Sequence, residues 1–266
     1  MPIKAALLSL LLSVLSITSA TCAPVSGSIS EIKGRTPVLV ELFTSEGCSS
    51  CPPADRFLEK LDHQLVPGAE VIVLSEHVDY WNDIGWKDPY SSHFYSERRS
   101  AYAKRFGLDS VYTPEMIVDG SSEFLGSNPD LADKAFRKAL SVQKLPVSAS
   151  SVSAIDPNFV RAHIEVGTLE RFYSSQTAEV YVALALNRAE SRVSNGENAG
   201  HRLTHVSVVR SFRKIGEVKP GQAYSQDIRL MLEPGNQSHN LRLIVFVQEP
   251  RQGRVLGAAL VPVSAP

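Results

Sequence analysis

The sequence contains few cysteines and has no excess of charge of either sign. Its 266 residues include three cysteines, and 27 Lys and Arg residues are balanced by 28 Asp and Glu residues, for a net charge of -1. So small a net charge gives no electrostatic basis for binding nucleic acid or an anionic membrane. Because only one Cys-x-x-Cys pair is present, a closed structural zinc site needs two further ligands from His or Asp.

Long apolar runs are also absent, except at the N-terminus. Lys4 supplies a positive charge, residues 5–17 are apolar, and residues 18–20 are small enough for a cleavage site. This pattern is typical of a secretory signal peptide, which we place at residues 1–22, and the run is too short to span a bilayer. We therefore expect an exported protein, periplasmic or secreted, with no transmembrane segment in the mature chain. Lipid anchoring at Cys22 is the less favoured alternative.

The other two cysteines, Cys48 and Cys51, lie between a strand-like apolar run at residues 38–43 and a helical pattern that begins near Ala54. At such a junction a dithiol can cycle between thiol and disulfide. The unpaired N–H groups and the dipole of the helix N-terminus favour a thiolate there. Export favours redox chemistry over a cytosolic zinc site, and a purely structural disulfide is a further alternative.

A second apolar run, residues 70–75, predicts a strand parallel to the first one, because a strand–helix–strand unit makes a right-handed crossover. The residues that follow both strands then emerge at the same edge of the sheet. This argument places His77 and Asp79 near Cys48. Either side chain is a candidate for passing protons to and from the sulfurs. Capping or hydrogen bonding at the strand end is the alternative role for both.

The next segment predicts a helix at residues 89–106 and a hairpin with arms at residues 116–118 and 123–125. A further helix is predicted with Asn128 as its cap and Pro129 as its first residue. We expect the helix arginines Arg98 and Arg99 only to solvate a helix face. A set of aromatic side chains in and before the helix predicted at residues 89–106 either lines a substrate groove or packs this part of the chain onto the sheet. Packing is the favoured interpretation. The set is Trp81, Trp86, Tyr90, Phe94 and Tyr95.

The second half of the chain is rich in strand patterns separated by turns. Apolar and polar residues alternate over residues 160–166, which indicates a half-buried strand. Several antiparallel strands of this length predict a sandwich. His205 and Arg210 lie on one of them, and we assign them no function. The other predicted strands are residues 179–186, 205–212, 224–232, 241–248 and 255–261.

Four segments together resemble a known family. They are residues 41–55, residues 77–81, residues 112–114 and residues 203–210. In these segments the chain resembles the DUF1223 family of secreted bacterial thioredoxin-like proteins. The resemblance implies an α/β thioredoxin-like domain followed by an all-β sandwich-like domain, with domains at residues 34–144 and 146–266. It does not define a biochemical role.

The wider resemblance to thioredoxins implies roles for particular residues. Cys48 corresponds to the attacking thiolate, Cys51 to the resolving thiol, and Pro114 to a cis-proline that lies against the pair. A cis bond before Pro114 would expose the carbonyl and amide of Thr113 for pairing with an extended substrate. Gly47 is a departure, because many thioredoxins have Trp at this position.

We interpret the chain as an exported thiol–disulfide oxidoreductase that acts on protein thiols and disulfides or on small thiols, with no cofactor. One alternative is a periplasmic Cu(I)- or Zn-binding module, or metallochaperone, that uses Cys48, Cys51 and His77. The other is a binding protein whose disulfide is purely structural. The direction of the redox chemistry does not follow from cysteine spacing, because it depends on the relative stability of thiolate and disulfide.

Overall fold

In the described part of the chain, strands and helices are interspersed up to residue 140, and almost all later elements are strands. The computed structural model describes residues 34–156, 158–232 and 238–264, so the predicted signal peptide and Cys22 lie outside the described residues. The helices are α1 (Pro52–His63), α2 (His93–Phe106) and α3 (Pro129–Leu140). The strands are β1 (Thr36–Thr44), β2 (Ala69–His77), β3 (Glu115–Val118), β4 (Ser122–Leu125), β5 (Val147–Asp156), β6 (Phe159–Val166), β7 (Ala178–Arg192), β8 (Arg202–Val218), β9 (Tyr224–Met231), β10 (Leu241–Gln248) and β11 (Val255–Pro262).

Eight strands form one mixed sheet in the order β11-β10-β7-β8-β2-β1-β3-β4, and β5, β6 and β9 form a smaller sheet. The predicted parallel pairing of β1 and β2 is confirmed, and it ends with Thr44 opposite His77. β8 pairs in parallel with β2, where Ser75 lies opposite Val208. Strands from both sides of the predicted domain boundary therefore share the larger sheet.

The larger sheet is covered on both faces. On one face, Tyr102 of α2 packs in a cluster with Phe43 of β1 and Phe246 of β10, so α2 covers strands from both halves of the chain. On the other face, α1 and α3 cover β1 and β3, with Leu42 and Leu58 in the cluster. This arrangement buries the parallel pair β1 and β2, as is usual for parallel strands.

The smaller sheet packs against the same face of the larger sheet that α1 and α3 cover elsewhere. Its core combines Ile164 of β6 and Leu230 of β9 with Val182 of β7 and Val245 of β10. Alternate residues of β6 are buried, as the period-two pattern predicts. Two sheets thus share one apolar core in this half of the chain.

Helix boundaries follow the capping signals. The Asn128 side chain accepts a hydrogen bond from the N–H of Leu131, which confirms the predicted start of α3. α2 begins at His93, four residues later than predicted, because Ser92 is its N-cap and accepts from the N–H of Phe94. It ends at Phe106, and its C-cap Gly107 has a left-handed φ of 69°, which suits glycine.

The prediction that Arg98 and Arg99 only solvate a helix face is wrong. Both arginine side chains are buried between α2 and the sheet. Arg98 Nε donates to Glu41 Oε1 at 2.7 Å, and Arg99 is ion-paired with Glu115. The reason is that strand residues on this face include buried glutamates, and a buried carboxylate needs a cationic or hydrogen-bonding partner.

Candidate functional site

Cys48 and Cys51 form a disulfide at the N-terminus of α1, with their Cα atoms 5.4 Å apart. Cys51 is the N-cap residue, and its carbonyl accepts the first helical N–H groups, those of Ala54 and Asp55. Both cysteines are buried, whereas Ser49 and the next residue along the loop are exposed. The disulfide therefore lies directly beneath an exposed dipeptide, at the positively polarised end of the helix.

The Thr113–Pro114 segment lies beside this disulfide. Its peptide bond is cis, and the carbonyl oxygen of Thr113 is 3.9 Å from Cys48 Sγ. Ser50 Oγ is 3.3 Å from the same sulfur and 3.4 Å from the Thr113 oxygen. The Ser50 hydroxyl can therefore donate to either acceptor, and the structure brings Thr113 and Cys48 together.

Trp81 connects this segment to the residue before Cys48. Its indole Nε1–H donates to Thr113 Oγ1 at 2.9 Å. A Cβ atom on Gly47 would lie 3.0 Å from the Cβ of Trp81 and 3.2 Å from its carbonyl oxygen. The glycine that departs from the usual thioredoxin pattern therefore leaves room for Trp81.

Gly47→Ala is expected to destabilise the fold by about 1–3 kcal/mol, because the added methyl group must displace the Trp81 backbone or its own loop. Chemical unfolding monitored by circular dichroism measures the effect. Gly34→Ala is the matched control, since a Cβ atom at Gly34 meets nothing within 4 Å. Equal stability of the two alanine variants would show that the contact does not constrain the loop.

A group of buried acidic and histidine side chains lies next to the cysteine loop. This acid–histidine cluster consists of Glu46, Asp55, His77, Asp88 and His205, and each is at most 5% exposed. His77 Nδ1 is 2.7 Å from Asp88 Oδ2, and His205 Nε2 is 3.2 Å from Glu46 Oε1. His205 Nδ1 is 3.7 Å from Asp55 Oδ1, which is an ion-pair contact. The two imidazole rings are 4.7 Å apart.

The cluster is joined to the cysteines through the chain. Glu46 precedes Cys48 by two residues, and Asp55 follows Cys51 by four. His205 belongs to β8, so the second half of the chain completes a cluster that the first half begins.

Burial alone would lower the pKa of His205, but the nearby carboxylates of Asp55 and Glu46 outweigh it and raise the pKa to about 10. Burial would raise the pKa of Asp88, but the contact with His77 and two backbone N–H donors hold it below its ordinary value. At neutral pH, His205 is therefore an imidazolium, and it contacts both Glu46 and Asp55.

The loop between β7 and β8, residues 193–201, closes over the cysteine loop, and we call it the clamp loop. The buried Asn198 side chain donates from Nδ2 to the carbonyl oxygens of Glu46 and Cys48, at 2.8 and 3.0 Å. The exposed Glu197 accepts from the N–H of Ser49 at 3.0 Å through Oε2. Two residues of the second half thus contact the Cys-x-x-Cys loop directly.

The model of the family described as "Protein of unknown function (DUF1223)" matches residues 39–248. The chain belongs to the DUF1223 family. A crystal structure of an Agrobacterium tumefaciens protein is similar to it, with 27% identity, a TM-score of 0.66, and coverage of 85% of this chain and 94% of that one. HBP35 of Porphyromonas gingivalis shares the fold at 16% identity and a TM-score of 0.62, with coverage of 87% and 77%. No curated protein matches the chain.

Other residues predicted for the site in this DUF1223 protein have different contacts. The side chain of Asp79 accepts from Ser96 Oγ and lies 3.2 Å from His93 Nδ1, so its contacts are with the first turn of α2. His77 is not at the surface of the site but inside the acid–histidine cluster. Pro114 is buried, and its carbonyl accepts from the N–H of Gly126.

Two aromatic residues between β2 and α2, Trp86 and Tyr90, pack against or hydrogen-bond with the acid–histidine cluster. Trp86 Nε1–H donates to Glu46 Oε2 at 2.8 Å. The Tyr90 ring lies 5.5 Å from the His77 ring and 6.0 Å from that of His205. Trp86 and Tyr90 therefore contact the acid–histidine cluster directly.

Neither a metal-ligand group nor a helix that could cross a membrane occurs in the described ranges of this DUF1223 protein. Within them, no group of three or more His, Cys, Asp or Glu side chains is arranged to hold a metal ion, and the sulfurs of Cys48 and Cys51 are bonded to each other. No helix in the same ranges has the length and apolar character needed to cross a membrane.

Proposed function

We propose that this DUF1223 protein is an exported thiol–disulfide oxidoreductase that exchanges disulfides through Cys48 and Cys51. The observation that carries the proposal is the disulfide at the N-terminus of α1, with the carbonyl of Thr113, the residue before cis-Pro114, 3.9 Å from Cys48 Sγ. Its partners are protein thiols and disulfides or small thiols.

The order of elements supports a thioredoxin-like assignment for residues 34–144. A parallel β1-α1-β2 unit is followed by α2, the β3–β4 hairpin and α3, and the Cys-x-x-Cys pair opens the first helix. We assign residues 146–266 as a sandwich-like domain that lends four strands to the larger sheet. Export through a signal peptide at residues 1–22 is part of the same proposal.

In the proposed reaction, the Cys48 thiolate attacks a partner disulfide, forms a mixed disulfide and releases the first partner thiolate. The Cys51 thiolate then attacks Cys48 Sγ, which re-forms the internal disulfide and releases the second partner thiolate. The reverse sequence reduces the internal disulfide. The Ser50 hydroxyl, 3.3 Å from Cys48 Sγ, is positioned to donate to the thiolate, and the helix N-terminus stabilises its charge.

We assign proton handling to the acid–histidine cluster. His77 belongs to this assignment because its ring contacts the ring of His205. His205 is in turn ion-paired with Asp55 of α1, the helix that Cys51 caps. Asp79 has a positioning role in this proposal, because it holds the first turn of α2.

A structural disulfide in a binding protein is the second candidate. It is favoured by the burial of both cysteines, each of which is 0% exposed. The two candidates differ in whether an external thiol reaches the disulfide while the chain stays folded.

Trapping with single cysteine variants tests the proposal. Cys51→Ser is expected to accumulate mixed disulfides through Cys48, because no resolving thiol is present, whereas Cys48→Ser is expected to accumulate few. Gel shifts after alkylation measure both. Equal trapping by the two variants would remove the assigned roles. Reduction of the wild-type disulfide only in denaturant would establish the structural alternative.

A further inference from the structure

An exposed carboxylate lies next to the cysteine loop. Glu197, in the clamp loop, accepts a hydrogen bond from the N–H of Ser49, the residue that directly follows Cys48. Hydrogen bonds with the Ser49 side chain and with its N–H lower the pKa of Glu197, so the side chain is ionised at neutral pH. Ser49 and Ser50, the residues that cover the sulfurs, are uncharged. A reactant that approaches Cys48 therefore meets a negative charge supplied by the second half of the chain.

The clamp loop is fixed in this position by buried contacts. Asn198 is 5% exposed and binds the carbonyl oxygens of Glu46 and Cys48. A Cβ atom on Gly85 would lie 3.2 Å from both Cα and N of Gly196, so the loop also packs tightly on the segment between β2 and α2. The carboxylate of Glu197 is thus held next to the cysteine loop instead of sampling solvent freely.

We propose that Glu197 determines specificity by disfavouring anionic thiols and favouring partners that carry positive charge beside their reactive sulfur. The inference rests on the proposed exchange activity. Charges a few ångströms apart at a protein surface change encounter and reaction rates severalfold, and salt screens the effect. Small anionic thiols are therefore expected to be poor reactants, whereas polypeptides with Lys or Arg next to the reactive cysteine are expected to be good ones.

The reaction that measures this preference is reduction of the internal disulfide by a small thiolate. The thiolate attacks Cys48 Sγ, a new S–S bond forms, and the bond to Cys51 breaks and leaves its sulfur as a thiolate. A second thiolate attacks the sulfur of the bound thiol and releases Cys48 as a thiolate together with the oxidised small disulfide. The protein disulfide gains the two electrons that the two thiols lose.

Three probes of similar size separate charge from other effects. They are cysteamine, 2-mercaptoethanol and 2-mercaptoethanesulfonate, which carry a cationic, a neutral and an anionic group. Stopped-flow reduction is followed for the folded wild type and for Glu197→Gln at low ionic strength. Because the intrinsic reactivity of each thiol cancels in the ratio of variant to wild type, only the effect of the substituted side chain remains. Gln retains an oxygen that accepts the Ser49 N–H.

Glu197→Gln is expected to raise the rate with the sulfonate about threefold relative to the rate with cysteamine, and added salt is expected to abolish the difference. Glu170→Gln removes a charge from the loop at the opposite end of β7 and is expected to leave the ratio unchanged. Equal variant-to-wild-type ratios for all three thiols would overturn the inference while exchange still occurs. If no thiol reduces the folded protein, the proposed function itself fails.

Discussion

His205→Gln is expected to destabilise the folded chain by about 3–5 kcal/mol, because it removes one partner of a buried ionic group and leaves two carboxylates uncompensated. His205 is 2% exposed and lies within 4 Å of both Glu46 and Asp55. The expected loss corresponds to a drop of about 10 °C in the unfolding midpoint for a chain of this size. Urea unfolding and calorimetry measure it.

The loss is expected to depend on pH in a defined direction. The pKa of His205 is about 10 in the folded chain against an ordinary value of 6.5, so the folded state retains a proton that the unfolded state releases. The stabilisation is therefore complete below pH 6.5 and disappears as pH rises towards 10. The difference between wild type and His205→Gln should shrink across this window. The other titratable groups of the cluster, Glu46, Asp55, His77 and Asp88, are present in both proteins.

His163→Gln provides the control for this experiment. His163 also pairs with an aspartate, Asp227, but on the exposed side of β6. Solvent-exposed ion pairs contribute little, so this variant should unfold close to the wild type. A His205→Gln protein as stable as the wild type at pH 6 would contradict the buried ion-pair assignment.

The sequence predicts well those parts of the fold that depend on local patterns. The apolar run before Cys48, the helix after Cys51 and the strand before His77 follow from periodicity and position, and their parallel pairing follows from the handedness of crossovers. The start of α3 follows from the Asn128 cap. These features need only a few neighbouring residues to determine them.

The site residues that were not predicted from the sequence are brought to the site by pairing between strands that are distant in the chain. His205 reaches the cluster because β8 pairs with β2, and Asn198 and Glu197 reach the cysteine loop because the β7–β8 hairpin ends there. No periodicity in β8 distinguishes a buried ion pair from an ordinary strand histidine. A chemical signal was nevertheless present, since Glu46 and Asp55 flank the cysteines and carboxylates buried there need a cationic partner.

Buried charged side chains also lie on the face of the larger sheet that α2 covers, and their carboxylates likewise need a cationic partner. Arg98 donates to Glu41 and to Gln248, and its Nε is 3.6 Å from Glu76 Oε2. Its guanidinium carbon lies 4.7 Å from the centre of the Phe212 ring. Burial and the neighbouring Glu41 raise the pKa of Glu76 well above its ordinary value. Arg98 thus pairs with the carboxylate of Glu41 on β1 and contacts Glu76 on β2, whose raised pKa favours its neutral form.

Arg98→Met is expected to destabilise the fold by about 3–5 kcal/mol, because Glu41 would lose its cationic partner while remaining buried. Thermal and urea unfolding measure the loss. Lys104→Met is the matched control, since it removes a cation from the exposed face of the same helix and should leave stability nearly unchanged. The double variant Glu41→Gln/Arg98→Met is expected to be more stable than Arg98→Met alone, because it removes the uncompensated charge. If the double variant is no more stable, lost packing, not the buried charge, accounts for the effect of Arg98.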